Sequence, residues 1–336
     1  MHAVQHRRRL LREALSAPDL TPAASPLHVV DLVGSGGAVR MRAPPSDEAV
    51  MQWHFKTAHA LAVSAADGRS TQPGSSSYHA TVDMLVMELV ERRPIYWTAL
   101  WPAGLALADV LLANPALARD QAVLDIGTGL GTGAVCAGLA GAASVLATDV
   151  EPRALEYVER NAEENALQGT VSTVEWDFYE TPPAGVARAG QFGLLIASDV
   201  LYSDGDVAPA RVAALARDLV RPGGALLVSD GTDRPYSTSS SEQLHELLCV
   251  PGVDGGGGGL FALEVEHACE RGVEGGEHAT SVKRSVRVLL FRRVGGGADL
   301  DRAEKNLKDE KNTTTAVTTT ATTWSNGWKA RYLSPA

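Results

Sequence analysis

The sequence has few cysteines, few aromatic residues, no surplus of positive charge and no long hydrophobic run. Its three cysteines, Cys136, Cys249 and Cys269, lie far apart and form no C-x-x-C pair, so we expect reduced thiols, no disulfide framework and no metal site. The formal net charge of −10 argues against a general nucleic-acid binder. No apolar run is long enough to cross a membrane, so we expect no membrane association.

Hydrophobic residues nevertheless make up 45% of the chain, which is enough for a sizeable core. From residue 122 onward, apolar strand patterns alternate with helical patterns. The predicted strands are 122–125, 144–148, 171–175, 192–198 and 225–229, with a closing antiparallel pair at 261–266 and 286–292. This order predicts an α/β fold: a Rossmann-like, doubly wound, mostly parallel seven-stranded sheet with helices on both faces.

Composition divides the chain into four segments. Residues 1–26 are basic and then rich in Pro, Ala and Ser, which fits either a frayed N-terminus or an organelle transit peptide. The expected compartment is therefore the cytoplasm, or a mitochondrion or plastid if the segment is a transit peptide. Residues 27–93 predict an extension with a hairpin at 27–41 and helices at 48–66 and 81–91, residues 94–294 the main domain, and residues 295–336 a low-complexity tail.

One glycine-rich segment lies between two strands that each end at an aspartate. The first strand ends at Asp125, and glycines follow at positions 127, 129, 131 and 133. The next strand ends at Asp149, twenty residues after Gly129, where a doubly wound fold has the carboxylate that binds a ribose. Glycines allow close approach of the backbone, and the helix that follows presents free N–H groups. The segment therefore predicts a ligand-binding turn.

The charge beside this turn separates two kinds of ligand. A nicotinamide-type pattern fits as Gly129-x-Gly131-x-x-Ala134, but Asp125 directly precedes the glycines and would repel a pyrophosphate. S-adenosylmethionine carries an ammonium and a sulfonium group and no phosphate, so a carboxylate there suits it. A structural turn with no ligand is the alternative.

The order Asp125-x-Gly127-x-Gly129-x-Gly131, followed by Asp149, resembles motif I and the next acidic position of class I methyltransferases. The resemblance implies S-adenosylmethionine as cofactor, with the glycine backbone at its methionine end. It implies that Asp125 faces the cofactor's amino group, directly or through water, and that Asp149 accepts hydrogen bonds from the ribose hydroxyls.

The segment after the third strand extends this resemblance. It implies that Asp177 accepts a hydrogen bond from the adenine amino group, while Trp176 or Phe178 flanks the ring. The alternative for Asp177 is a loop cap. Trp101 is expected over the cofactor or the target side chain, or else it packs its helix onto the sheet.

A second motif follows the fourth strand. The apolar run 194–197 buries that strand, so Asp199 emerges at the edge of the sheet where ligands bind. Asp199-x-x-Tyr202 resembles the motif found there in seven-β-strand protein-lysine methyltransferases, whose carboxylate orients the lysine amine. The resemblance implies that Asp199 is catalytic and contacts the bound cofactor, and that Tyr202 walls the channel. The alternative for Asp199 is a helix N-cap.

The resemblance covers residues 94–236. Residues 95–115, IYWTALWPAGLALADVLLANP, together with the glycine motif, are most similar to the electron-transfer-flavoprotein β-subunit lysine methyltransferases. Where that group has two glycines after Trp-Pro, this chain has Ala103 and Gly104. The resemblance implies action on a protein lysine, and we expect a monomer. The alternatives are methylation of a small amine, a catalytically silent scaffold and, disfavoured by Asp125, a nicotinamide reductase.

Overall fold

The structure, a computed structural model, describes the larger part of the chain. The described residues are 21–32, 38–45, 47–67, 80–82, 84, 96–187, 190–202, 207–233, 237–249, 260–271, 284–294, 323–324 and 328–329. They divide into two compact units. One contains Met1–His28 with Arg42–Ala99, and the other contains Val29–Met41 with Leu100–Ala336.

The first unit is built on one long helix, α1 (Asp47–Asp67), which confirms the helix predicted at 48–66. Its Trp53 lies edge-on to Trp97, with ring centroids 6.1 Å apart, and both side chains are buried. Two short strands, β1 (Leu27–Asp31) and β2 (Ala38–Arg42), pair as the predicted hairpin, and most of their residues belong to the second unit. The helix predicted at 81–91 lies almost entirely outside the described residues.

The second unit contains a seven-stranded sheet. Its strands are β3 (Ala122–Ile126), β4 (Ser144–Asp149), β5 (Val171–Glu175), β6 (Phe192–Ser198), β7 (Val220–Gly231), β8 (Phe261–Arg271) and β9 (Arg284–Arg293). The order across the sheet is β5-β4-β3-β6-β7-β9-β8. The first five run parallel, whereas β9 is antiparallel to both β7 and β8. The predicted fold class, including the closing antiparallel pair, is confirmed.

Five helices accompany the sheet in the described part of this unit: α2 (Pro102–Ala113), α3 (Thr132–Leu139), α4 (Pro152–Glu164), α5 (Val207–Leu219) and α6 (Ser237–Cys249). Side chains alternate along each strand, so Leu124 and Leu195 join α5 and α6 in one hydrophobic cluster. Asp125 and Ile196 point to the opposite face, where both lie within van der Waals range of α3 at Gly133. Layers on both faces explain why β6 is apolar from Phe192 to Ala197.

β7 and β8 are the strands that most exceed the predicted bounds, and β8 continues to Arg271 instead of ending at 266. β7 begins at Val220 instead of 225, because Val220 pairs with Phe192 and an irregularity before Leu194 accommodates the intervening residues. The segment 221–224, Arg-Pro-Gly-Gly, looks like a turn in sequence, and Gly223 does have φ +74. α6 begins at Ser237, although its first five residues are all Ser or Thr, which are weak helix formers.

The described part of the C-terminal tail is one short antiparallel pair of strands. Of residues 295–336, only β10 (Thr323–Trp324) and β11 (Trp328–Lys329) are described, and they pair antiparallel. Residues 251–259 lie outside the described ranges. Across the residues that are described, no helix has the length and apolar character needed to cross a membrane.

Candidate active site at the carboxyl ends of the parallel strands

The predicted site residues converge because three adjacent parallel strands end at one edge of the sheet. β3 lies between β4 and β6, and Asp125 pairs in register with Ala147 on one side and Ile196 on the other. Asp149 ends β4, and Asp199 directly follows β6. The edge that carries the carboxyl ends of parallel strands is where ligands bind in doubly wound folds.

The glycine turn connects β3 to α3 in a conformation that favours glycine at three positions. Gly127 has φ +60, Gly129 has φ +54 and Gly131 has φ +84, the left-handed region that other residues rarely adopt. A Cβ on Gly127 would lie 2.9 Å from Val200 Cγ1, and one on Gly131 would lie 3.0 Å from Val158 Cγ2. Packing as well as backbone conformation therefore selects glycine at both positions.

Asp125 is almost completely buried behind this turn. Its Oδ2 accepts a hydrogen bond of 2.7 Å from Thr128 Oγ1. Burial raises the pKa of Asp125 to about 7, and the charge of Asp149 adds to this, whereas hydrogen bonds from Thr128 and the Ala134 backbone oppose it. Asp125 thus shapes the turn from behind and contributes a carboxylate whose ionisation is costly without a cation.

Asp149 joins the end of β4 to the same turn. Its Oδ2 accepts a hydrogen bond of 2.9 Å from Gly129 N, and its Oδ1 accepts one of 3.0 Å from Glu151 N. Burial raises the pKa of Asp149 despite these backbone donors. Oδ2 therefore fixes the glycine turn and Oδ1 fixes the segment that leads into α4, while the predicted role of Asp149 at a ribose stays a prediction.

Helix α4 supports the turn from below through a residue that sequence reasoning missed. The side chain of Asn161 is fully buried, and its Nδ2 donates a hydrogen bond of 2.8 Å to Leu130 O. The available signal was an asparagine on the apolar face of an amphipathic helix, because a buried amide needs a polar partner.

The two aromatic residues predicted to flank the adenine have different environments. Trp176 is buried in the cluster with α5 and α6, and its Nε1 donates to Glu180 O at 3.3 Å. Phe178 Cε1 lies 3.9 Å from the point where a Cβ of Gly127 would stand, and its ring stacks on Tyr179 with centroids 4.5 Å apart. Phe178 is therefore the aromatic side chain beside the turn.

Asp177 lies between these aromatic residues in sequence, two residues after the end of β5. Its Oδ1 accepts a hydrogen bond of 3.0 Å from Tyr179 N, which is the loop-cap geometry. Within the described part of the chain, Oδ2 accepts no hydrogen bond. One oxygen therefore caps the loop and the other is available to a ligand, so the two interpretations of Asp177 are compatible.

Asp199 has an unusual backbone conformation, with φ +56. Its N–H donates to Ser229 O at 2.7 Å, and the Ser229 hydroxyl donates to Ser198 Oγ at 2.9 Å, so β7 fixes the position of Asp199. Helix α5 begins only at Val207, so Asp199 is not its N-cap. Tyr202, three residues on, is 41% exposed.

Trp101 and Gly104 begin helix α2 at the same edge of the sheet. Trp101 is the N-cap residue and is half-buried. A Cβ on Gly104 would lie 3.6 Å from Ser198 Oγ and 3.8 Å from Thr132 Cβ, which is ordinary van der Waals contact. The start of α2 therefore lies against the end of β6, next to Asp199. No group of three or more His, Cys, Asp or Glu side chains suited to a metal ion occurs among the described residues.

Comparison with known proteins agrees with this geometry. Residues 108–197 match the family model described as ribosomal protein L11 methyltransferase. The chain is 32% identical over 155 residues to the mouse electron transfer flavoprotein beta subunit lysine methyltransferase, covering 46% of this chain and 57% of the relative. It is 43% identical over 72 residues to the human protein of that name, covering 21% and 28%.

A bacterial methyltransferase also matches part of the chain. The chain is 35% identical over 107 residues to the ribosomal protein L11 methyltransferase of Pelotomaculum thermopropionicum, covering 32% of this chain and 31% of the relative. The chain thus spans little more than half the length of the mouse relative. The comparisons confirm the resemblance to class I methyltransferases. The family-model match includes Asp125, Asp149 and Asp177 and ends before Asp199.

Proposed function

We propose that this chain is an S-adenosylmethionine-dependent methyltransferase that methylates the side-chain amine of a lysine in a protein. The observation that carries the proposal is the pair of buried carboxylates, Asp125 and Asp149, on either side of a glycine turn. Both pKa values are raised by burial, and within the described residues neither carboxylate pairs with a basic side chain. A cationic ligand would balance this charge.

The residues present fit the proposed cofactor. The turn from 125 to 134 contains no Lys or Arg, so a pyrophosphate would meet two carboxylates and no counter-charge. S-adenosylmethionine instead brings an ammonium and a sulfonium group. Asp125 would balance the ammonium, Asp149 would accept hydrogen bonds from the ribose hydroxyls, and Phe178 would stack on the adenine beside Asp177 Oδ2.

The proposed target is a lysine because of Asp199. Its carboxylate follows β6 beside the start of α2, and its N–H bond to Ser229 holds it in a left-handed conformation. Such a conformation costs about 1–2 kcal/mol at an ordinary residue, and strain of this kind is concentrated at functional sites. A fixed carboxylate suits an amine nucleophile, since it accepts a hydrogen bond and sets the direction of the lone pair.

Only a neutral amine can attack, so the lysine must lose a proton to water before transfer. When bound, S-adenosylmethionine supplies an electrophilic methyl group on its sulfonium sulfur. Asp199 would hold the lysine nitrogen in line with that methyl group. Asp199 orients the amine throughout, and Tyr202 forms the exposed wall of the approach.

The names of the relatives support a protein substrate over a small amine. They specify the electron transfer flavoprotein beta subunit and ribosomal protein L11. We extend this substrate class to the present chain, with the flavoprotein subunit as the first candidate because three relatives named for it match over 155, 153 and 143 residues, against 107 and 124 for two ribosomal protein L11 methyltransferases.

The test is incubation of the purified chain with methyl-labelled cofactor and either the flavoprotein β-subunit, ribosomal protein L11 or a cell lysate. We expect a labelled protein band with the label on lysine. Asp199→Asn keeps the shape and tolerates φ > 0, so it should bind cofactor normally but transfer at least about 100-fold more slowly.

The matched control is Asp120→Asn, because Asp120 is also an aspartate at positive φ (+60) but precedes β3 at the opposite edge of the sheet. This variant should transfer at the wild-type rate. A labelled metabolite without any labelled protein would contradict the lysine proposal, and unchanged turnover in Asp199→Asn would remove Asp199 from the mechanism.

A further inference from the structure

A chain of asparagine contacts connects the N-terminal hairpin to the glycine turn. The first link joins β2 to the end of α4. Arg40 N donates to Asn165 Oδ1 at 3.1 Å, and Asn165 Nδ2 donates to Arg40 O at 2.6 Å. A side-chain amide thus pairs with both main-chain groups of one strand residue, as a neighbouring strand would in a sheet. These residues are 125 positions apart in sequence.

The second link lies within α4. Asn165 is the C-cap, and its own N–H bonds Ala162 O and Glu163 O, so it does not serve the Asn161 carbonyl as a regular helix would. Asn165 Nδ2 replaces that donor, with a hydrogen bond of 2.7 Å to Asn161 O. Both hydrogens of Nδ2 and the Oδ1 acceptor are then used, so the position of the amide is fully determined.

The third link is the hydrogen bond from Asn161 Nδ2 to Leu130 O in the turn. Leu130 lies between two glycines of the turn. Gly129 N donates to Asp149 Oδ2, and Gly131, with φ +84, is the N-cap of α3. Displacement of Asn161 would therefore shift the segment proposed to meet the methionine end of the cofactor. The path from Arg40 to the turn is continuous through hydrogen bonds, and its last member is fully buried.

We propose that Asn165 and Asn161 are positioning residues that couple docking of the β1–β2 hairpin to cofactor binding at the glycine turn. This rests on the proposed cofactor but not on the identity of the substrate. Because coupling between two sites is reciprocal, a docked hairpin should tighten cofactor binding, and bound cofactor should stabilise the docked hairpin. Neither asparagine contacts the reacting atoms in this proposal.

The experiment measures both directions of the coupling. Calorimetry with S-adenosylhomocysteine should give a Kd about fivefold higher for Asn165→Ala than for the wild type, at the low end of measured couplings between sites. The KM for S-adenosylmethionine should rise by the same factor while kcat at saturation is unchanged, since Asn165 and Asn161 position the glycine turn and not the lysine amine.

The reciprocal readout is hydrogen exchange in the wild-type chain. Addition of S-adenosylhomocysteine should slow exchange about fivefold in peptides covering residues 38–42, and Asn165→Ala should abolish this protection. Asn165→Asp, which keeps the acceptor for Arg40 N but loses both donors, should behave like Asn165→Ala.

The matched control is Asn114→Ala. Asn114 is also a helix C-cap, and its Nδ2 donates to Val110 O at 2.9 Å within its own helix α2. It should lose comparable stability without a change in Kd or in hairpin exchange. The coupling is refuted, while the proposed function stands, if two results are found together. Asn165→Ala has the same Kd as Asn114→Ala, and S-adenosylhomocysteine does not change the hydrogen-exchange rate of the wild-type hairpin. If the wild type binds neither S-adenosylmethionine nor its product, both proposals fall.

Discussion

The raised pKa of Asp125 predicts how cofactor binding depends on pH. Burial raises this pKa from 3.8 to about 7. Other groups around it are acidic or neutral: Asp149 on β4 raises its pKa, while Thr128 and the Ala134 backbone donate to it. Cys136 on α3 stays a neutral thiol, since burial raises its thiol pKa well above the usual range. A bound ammonium would favour the ionised carboxylate and lower this pKa.

Cofactor affinity should therefore rise with pH up to about 7 and then level off. Below the pKa, the carboxyl must lose its proton on binding, which costs a factor of about ten in Kd per pH unit. Between pH 8 and pH 5.5 the loss should be roughly 30-fold. At pH 7, binding should release about half a proton, which calorimetry in buffers of different ionisation enthalpy measures.

The same shift predicts stability with the opposite sign. The folded chain keeps the Asp125 proton between pH 3.8 and about 7, whereas the unfolded chain has lost it, so this group lowers stability as pH rises through that window. The full penalty above pH 7 corresponds to about 4 kcal/mol. Asp125→Asn should therefore unfold at higher denaturant than the wild type at pH 8, and the difference should vanish near pH 4.

Asp125→Asn is also the control for binding, because any titration of the cofactor's own amine persists in it. We expect weaker binding at pH 8 and loss of the proton release attributed to Asp125. The reasoning is refuted if the Kd of the wild type and that of the variant have the same pH dependence and both proteins release the same number of protons on binding. Asp125 would then not interact with the charge of the cofactor.

Three further substitutions, at two positions, test the backbone of the site. Asp199→Gly and Asp199→Ala both remove the carboxylate and should both abolish methyl transfer. Because φ is +56 at this position, the glycine variant should be more stable than the alanine variant by about 1 kcal/mol in chemical denaturation. Equal stability of the two variants would show that the backbone at Asp199 is not strained. Gly127→Ala should lower the melting temperature by roughly 4–8 °C, because φ +60 and the Val200 contact at 2.9 Å together cost about 2 kcal/mol. An unchanged melting temperature in Gly127→Ala would contradict the packing described for the turn.

Most of the fold could be predicted because strand and helix patterns alternate clearly after residue 122. The buried strands read as short apolar runs, and each carboxylate lies at or just past the carboxyl end of its strand, so all of them lie at one edge of the sheet. The misjudged boundaries lie where tertiary pairing overrides local pattern. Arg221 to Gly224 reads as a turn, yet β7 continues through it because β6 supplies a partner at Phe192.

The support of the site was less predictable than its residues. Nothing in the sequence pairs Asn161 with Leu130 or Asn165 with Arg40, since these contacts depend on three-dimensional packing of α4. The choice between Trp176 and Phe178 beside the turn also needed the structure, because both follow β5 and pack on the same hydrophobic cluster, and only Phe178 approaches Gly127. Asp177 was ambiguous in sequence because one carboxylate serves two roles.

The central claim is that two buried carboxylates beside a bare glycine turn select a cationic, phosphate-free ligand. Isothermal titration of the purified chain at pH 8 with S-adenosylmethionine, S-adenosylhomocysteine and NADH tests it most directly. The account predicts saturable binding of the first two and no heat from NADH. Tight binding of NADH, with no heat from either sulfur compound, would contradict it.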